Sequence, residues 1–291
     1  MKKKFLNRII LWSIERFPPI QILTAFLTFA IVCLPLTQSG LPVLFSSGTF
    51  IVFSILLTLR VIDEHKDYSS DQIAHPERLL QKQVLSLSDL RKVAYFFSAL
   101  SGLIVIVSYL NTAVIVALSL LLIWGFLMTK EFFVHNWLSK KLIIYSISHL
   151  LISPFLIYFC AAIAGTQDNE KIVSMMMVSF FCAFSYEVAR KIKGHDEENL
   201  NESNYINSYG VTKSLVLWVI VSILAIVAST TMVDVNPVKL YFYLGTVFYV
   251  LLSAFLFYKH PVKKYRKLNE AAAGMVGLIS FVVPLAQIIY A

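Results

Sequence analysis

Residues 41–71 read LPVLFSSGTFIVFSILLTLRVIDEHKDYSSD. Up to Arg60 this stretch holds no other charge, and it then places Asp63, Glu64, Asp67 and Asp71 within nine residues. A helix crossing the hydrocarbon of a bilayer needs about 20 mostly apolar residues. Residues 41–60 have that length, and the acids begin where such a span would end. One stretch thus indicates both the solvent of the fold and the place where its polar chemistry gathers.

The remainder of the chain agrees. Of 291 residues, 58% are apolar and 14% are charged, whereas a soluble domain carries roughly 25% charged residues. Further apolar runs occupy approximately 18–37, 93–110, 112–129, 142–164, 172–189, 214–233, 239–258 and 271–290, making nine with 41–60. Segments of ~10 residues with alternating hydropathy would indicate a membrane barrel, and none is visible. The expected fold is all-α: nine transmembrane helices bundled around a central cavity, in one integral-membrane domain over 1–291.

Basic residues orient the spans. With a cytoplasmic N-terminus, the N-terminal residues and the segments 60–92, 129–141, 190–213 and 259–267 share one side, and together they hold all of the 25 Lys and Arg except Lys171 and Lys239. Positive loops stay inside. An even number of spans would scatter basic residues over both faces. The net charge of +8 therefore reads as topology plus affinity for anionic lipid, with no need of nucleic acid. The expected setting is the cell membrane, multi-pass, with the polar loops facing the cytoplasm. Residues 1–17 read as an interfacial helix offering Phe5, Ile9, Leu11 and Trp12 to lipid and ended by Pro18 and Pro19. No small-residue cleavage site marks a signal peptide. Cys33, Cys160 and Cys182 lie within spans at no disulfide or metal spacing.

Two cytoplasmic loops, 60–92 and 187–213, are long and carry both signs of charge. In the first, Asp63, Asp67 and Asp71 stand at i, i+4 and i+8. If the helix continues past Arg60, successive members lie about 40° apart around its axis, forming an acidic stripe flanked by Glu64. Such a stripe repels itself without a cation. Mg²⁺ takes carboxylate oxygens and keeps waters or substrate phosphates as its other ligands. Arg78 and Lys82, with Arg190, Lys191 and Lys193 of the second loop, are the residues expected to grip phosphate oxygens. A diphosphate head on a hydrocarbon tail suits this set.

Written as D-E-x-x-D-x-x-x-D, the first loop resembles the N-D-x-x-D-x-x-x-D signature of the UbiA superfamily of intramembrane prenyltransferases. The following HPERLLQKQ resembles that family's R-P-x-R-P-L-x-x-G segment, with Pro76 and Arg78 kept and His75 and Gln83 departing. The second loop follows the sixth span, where the family has D-x-x-x-D. Here Glu187 is followed by Arg190 and Lys191, so one acid has become a base, and Asp196, Glu197 and Glu198 come later. Two readings stay open: Asp196 or Glu197 completes a second metal position, or Arg190 and Lys191 bind diphosphate with little metal.

The resemblance implies Mg²⁺-assisted ionisation of an allylic isoprenoid diphosphate, with Asp63, Glu64, Asp67, Asp71 and Glu187 as the acids at the reaction and Asp196 or Glu197 as further metal ligands. An acceptor, unidentified from sequence, would capture the prenyl cation. Tyr68 and Tyr186, beside the acids, are the rings placed to face that cation. His149, in the fifth span, is either functional or hydrogen-bonded across helices, with Pro154 bending the helix beyond it. Lys130 and Glu131, between spans four and five, are possible substrate contacts. A terpene cyclase of the same family, in which the chain captures its own cation, is the first alternative. A transporter is the second, although transport sites usually lie at the midplane.

Overall fold

The computed structural model describes residues 5–18, 20–33, 41–165, 168–197, 204–232 and 236–290. Glu198 and Pro19 lie outside these. Among the described residues every regular element is a helix. Seven stretches of the described residues are long and apolar enough to cross a membrane: Leu44–Lys66, Leu87–Ser108, Thr112–Thr129, Leu142–Ala164, Asn169–Lys191, Val211–Thr230 and Pro237–Lys259. The protein is a multi-pass, all-helical membrane protein. Of the two other expected spans, the first is described as helix over Ile20–Cys33 and the last belongs to a helix over Lys263–Tyr290.

The chain forms two compact units, Met1–Lys130 with Phe159–Thr166, and Glu131–Tyr158 with Gln167–Ala291. The first contains α1 (Phe5–Arg16), α2 (Ile20–Cys33), α3 (Leu41–Lys66), α4 (Tyr68–Ala74), α5 (Leu87–Ser108) and α6 (Thr112–Thr129). Capping sets the starts of the last two. Ser86 and Asp89 form a reciprocal capping box at α5, and the Asn111 side chain accepts the Val114 N–H at α6. Helix α3 packs on α2, α5 and α6. At Gly48 of α3 a Cβ would lie 2.1 Å from the Phe29 ring of α2. Trp12, Phe17, Leu57, Val61, Leu80, Leu85, Leu90 and Ala94 form a buried cluster that ties α1, the end of α3, the 75–86 turn and the start of α5 together.

Of the four residues that the sequence of α1 offers to lipid, Phe5 is exposed, Ile9 and Leu11 are half-buried and Trp12 is buried. Trp12 is buried and Ile9 packs against the same cluster, while Leu6, Ile10 and Ile14, one turn apart, are exposed beside Phe5. The stretch 60–92 is also less of a loop than its charges imply: only 75–86 lies outside helices and the Asp67 bend.

The second unit contains α7 (His135–Leu138), α8 (Leu142–Leu150), α9 (Ile152–Ala164, whose last residues group with the first unit), α10 (Asn169–Lys191), α11 (Tyr205–Tyr209), α12 (Val211–Thr230), α13 (Pro237–Lys259) and α14 (Lys263–Tyr290). Helices α10, α12, α13 and α14 pack around Trp218, Phe257, Tyr243 and small residues. Buried hydroxyls bond across them: Ser185 to Ser222 at 2.7 Å, Ser229 to Tyr243 at 2.9 Å, and Ser229 to the Ser280 carbonyl at 2.8 Å. Such bonds are worth roughly 1 kcal/mol each in a membrane interior. Pro154 has no N–H to give the Leu150 carbonyl, and the break between α8 and α9 falls there.

Candidate active site

The backbone carries the acidic stripe as a continuous helical ladder. The Asp67 N–H donates to the Asp63 carbonyl and the Asp71 N–H to the Asp67 carbonyl, both at 2.8 Å, across a bend at Asp67 where α3 gives way to α4. The i, i+4, i+8 spacing is thus carried on successive turns of hydrogen-bonded helical backbone.

The four acids of this segment have different partners. Glu64 is buried and takes two guanidiniums on one oxygen, Arg16 Nε at 2.7 Å and Arg60 Nη2 at 2.5 Å. Asp71 pairs tightly with Arg78 and stands 3.7 Å from Arg16. Asp63 and Asp67 form no ion pair among the described residues, and Asp63 is exposed and Asp67 half-buried. Asp67 lies beyond the membrane span, and its carboxyl is held above the usual range, first by burial and then by Asp71, with Lys66 pulling the other way. Lys66 and Arg60 offset its charge only in part, and a bound cation would relieve the remainder.

Arg78 is engaged with Asp71, whereas Lys82 is exposed. Tyr68 packs against the Trp12 cluster, which fixes its place beside Asp67. Gln83, where the resembled pattern has Gly, adopts φ 56°. A left-handed backbone costs a side-chain-bearing residue about 1 kcal/mol, and Gln83 is exposed, so its side chain has little packing to lose. Gln83→Gly is expected to raise stability by roughly 0.5–1 kcal/mol in thermal unfolding of the detergent-solubilised protein.

In the second unit, the last turn of α10 folds its charges on themselves. Glu187 takes Arg190 Nε and Nη2 at 2.6 Å and Lys191 Nζ at 2.8 Å. Lys191 Nζ lies 5.8 Å from the centre of the Tyr145 ring, and Tyr145 stacks on His149 at 4.1 Å. The His149 Nδ1 bonds the Tyr145 carbonyl of its own helix at 2.9 Å. Tyr205, whose hydroxyl donates to Ser146 Oγ at 2.9 Å, is pushed up to about 12 by burial. Tyr186 is exposed and Lys193 half-buried; Lys130, which belongs to the first unit, is exposed. Glu131 is buried against His135, at the start of three successive residues, Glu131, Phe132 and Phe133, with φ between 46° and 58°. Strain of this kind gathers at functional loops.

Asp196 and Glu197 serve the start of α14. Asp196 Oδ1 accepts the Lys263 N–H at 2.7 Å, and Glu197 receives Arg266 as a fork, Nε at 2.6 Å and Nη2 at 2.8 Å. The His195 N–H donates to the Pro261 carbonyl at 2.8 Å. Gly194 makes this approach possible, since a Cβ there would lie 2.6 Å from the Val262 backbone. Asp196 Oδ1 and both oxygens of Glu197 are thus engaged in a clasp at the start of α14.

Among the described residues no three acidic, histidine or cysteine side chains converge as a metal cage. Sequence reading missed Arg16, Arg60, Tyr145 and Arg266. Spacing could have found Arg60, at i−4 from Glu64, and Arg266, at i−4 from Glu270.

No protein-family model matches the chain. No curated protein matches it either. A solved structure concerned with digeranylgeranylglyceryl phosphate synthase in membranes does, with a TM-score of 0.66 at 14% identity, over 98% of this chain and 100% of that one. This chain therefore shares the fold of a membrane-embedded synthase along nearly its whole length.

Proposed function

We propose that the protein is a Mg²⁺-dependent prenyltransferase of the UbiA type, which ionises an isoprenoid diphosphate and passes the prenyl group to an acceptor. The observation that carries this reading is the division of the acidic stripe. Glu64 and Asp71 are matched to guanidiniums, while Asp63 and Asp67, one helical turn apart, are left with no ion pair among the described residues. The shared fold with a synthase whose product carries geranylgeranyl groups supports the same reading.

A pair of carboxylates fits Mg²⁺, which is commonly held by one or two carboxylates with water and substrate phosphate completing its shell. When bound, the ion supplies positive charge to the diphosphate leaving group. The chain's own residues do the rest. Asp63 and Asp67 offer the ligand oxygens, and exposed Lys82 offers an ammonium to the phosphates. Arg78 holds Asp71 in place and presents its remaining N–H groups. In the second unit, Arg190 and Lys191 are a further phosphate-binding pair, with Glu187 orienting both. Tyr68, anchored beside Asp67, is the ring placed to face the cation.

Self-capture of the cation, as in a terpene cyclase, is favoured by one observation: Glu187 is neutralised by two bases instead of standing with a second acid. The deciding experiment uses purified protein in nanodiscs with geranylgeranyl diphosphate and Mg²⁺, measuring pyrophosphate. Release that requires added membrane lipid extract establishes transfer, and mass spectrometry of the product identifies the acceptor. Release without any acceptor establishes cyclisation. No release from C15, C20 or longer diphosphates, with or without extract, refutes both.

A further inference from the structure

Helix α1 has two different faces, and each has a task. Toward the protein, three of its polar side chains hold the segment that bears the acids. Arg16 reaches Glu64 at 2.7 Å and Asp71 at 3.7 Å. Glu15 Oε2 accepts the Leu79 N–H at 3.2 Å, and Arg8 Nη1 donates to the Val84 carbonyl at 3.3 Å while standing 3.6 Å from Asp89. Trp12, 1% exposed, plugs the helix into the cluster beneath. Away from the protein, Leu6, Ile10 and Ile14 are 65%, 48% and 60% exposed along one line. The next helix, the apolar α2, likewise leaves Ile22, Leu23, Phe26 and Leu27 exposed.

We propose that α1 is a clamp seated on the lipid surface: its outer face, Leu6, Ile10 and Ile14, lies in the membrane, and Arg16, Glu15 and Arg8 on its inner side hold residues 64–89 in register. The acidic segment is thereby kept ordered by the bilayer itself. Exposed apolar side chains on two successive helices of a multi-pass membrane protein identify the occupant as lipid. The inference adds to the proposed function a condition on the acidic segment, but its geometry and its test do not depend on which reaction the protein performs.

The test is amide hydrogen exchange of the full chain in phosphatidylcholine–phosphatidylglycerol nanodiscs. In Ile10→Glu/Ile14→Glu, α1 is expected to lose protection, and amides of 64–89 to exchange at least tenfold faster, with those of α10, α12, α13 and α14 unchanged. Arg16→Gln is expected to deprotect 64–74 while α1 keeps its own protection, and Arg16→Lys to restore part of it. That local pattern separates a clamp from a general loss of stability, which would raise exchange everywhere. Unchanged exchange at 64–89 when α1 has come loose overturns the proposal. So does a dimer of the wild-type protein that the Ile10→Glu/Ile14→Glu variant dissociates, since a second copy would then be what covers the stripe. Both outcomes can occur whether or not diphosphate release is observed.

Discussion

Asp67→Asn is expected to lower pyrophosphate release from an isoprenoid diphosphate by at least about 100-fold, the scale on which removal of one preorganised charge-stabilising group acts, while the protein stays folded. Among the described residues Asp67 makes no ion pair and no helix-capping bond, so the amide removes the proposed ligand without breaking a described structural contact. Stability should hold or rise slightly. A carboxyl held above its usual range is charged at a cost in the folded state at neutral pH, and that cost fades as pH falls through the raised value. Asparagine removes it at every pH. The same shift makes protons compete with the cation. In the wild type, half-saturation by Mg²⁺ should need more metal as pH drops through the mildly acid range, above the ordinary carboxylate value of about 3.9. Release measured against Mg²⁺ at several pH values, with unfolding followed by intrinsic fluorescence, checks both parts. A fully active Asp67→Asn would refute the assignment of this residue.

Arg266→Ala should have the largest effect on stability. Arg266 and Glu197 side chains are each 10% exposed, and the fork between them joins the 195–197 turn to α14, with Glu270 on the remaining Nη1. Removing the arginine leaves Glu197 and Glu270 without their shared cation, and breaking such a buried pair costs about 3 kcal/mol or more. Arg266→Lys should recover part of this, since an ammonium keeps the charge but cannot match both carboxylate oxygens. The pair also has a pH signature. Burial alone would push Glu197 up, but its bond to Arg266 and the Gly194 N–H outweigh that and hold the carboxyl below its usual range. A depressed acid stabilises the fold above its unfolded value, about 4.3, and that contribution is lost as pH falls through the folded value. Thermal unfolding of wild type and Arg266→Ala should therefore differ most at neutral pH and converge in strong acid. Equal unfolding temperatures at pH 7 would show that the clasp contributes nothing.

How much of this was legible in the sequence depends on the kind of interaction. Hydropathy reports solvent, so the membrane class and the seven long spans could be read directly. The spacing of Asp63, Asp67 and Asp71 told that α3 carries on as helix beyond its apolar run, because only a helix makes that spacing meaningful. Glu64 illustrates the limit. One residue beyond Asp63 it is turned by about 100°, which takes it from an exposed position to a buried one between Arg16 and Arg60. Its role as a metal ligand was inferred from a motif, and its two guanidinium partners give it a structural task. Arg16 lies 48 residues away, and no local pattern announces a tertiary ion pair. The orientation of α1 was legible only in part, for a different reason. Lipid and protein core are both apolar, so composition cannot tell which side of an interfacial helix faces which. Asp196 and Glu197 were read as possible ligands because acids stand where a motif expects them, but a helix start needing a cap, together with Arg266, claimed both.

The central claim is that Asp63 and Asp67 load a divalent cation against an isoprenoid diphosphate. It is tested most directly by diffraction at the manganese absorption edge, from protein crystallised in lipid with Mn²⁺ and a non-ionising isoprenoid thiodiphosphate. The expected anomalous peak lies roughly 2.1 Å from a carboxylate oxygen of Asp63, of Asp67, or of both, the spacing of a hard octahedral cation, and also touches the analogue's phosphates. Manganese bound elsewhere, or an analogue seated with no ion at these two residues, would contradict it.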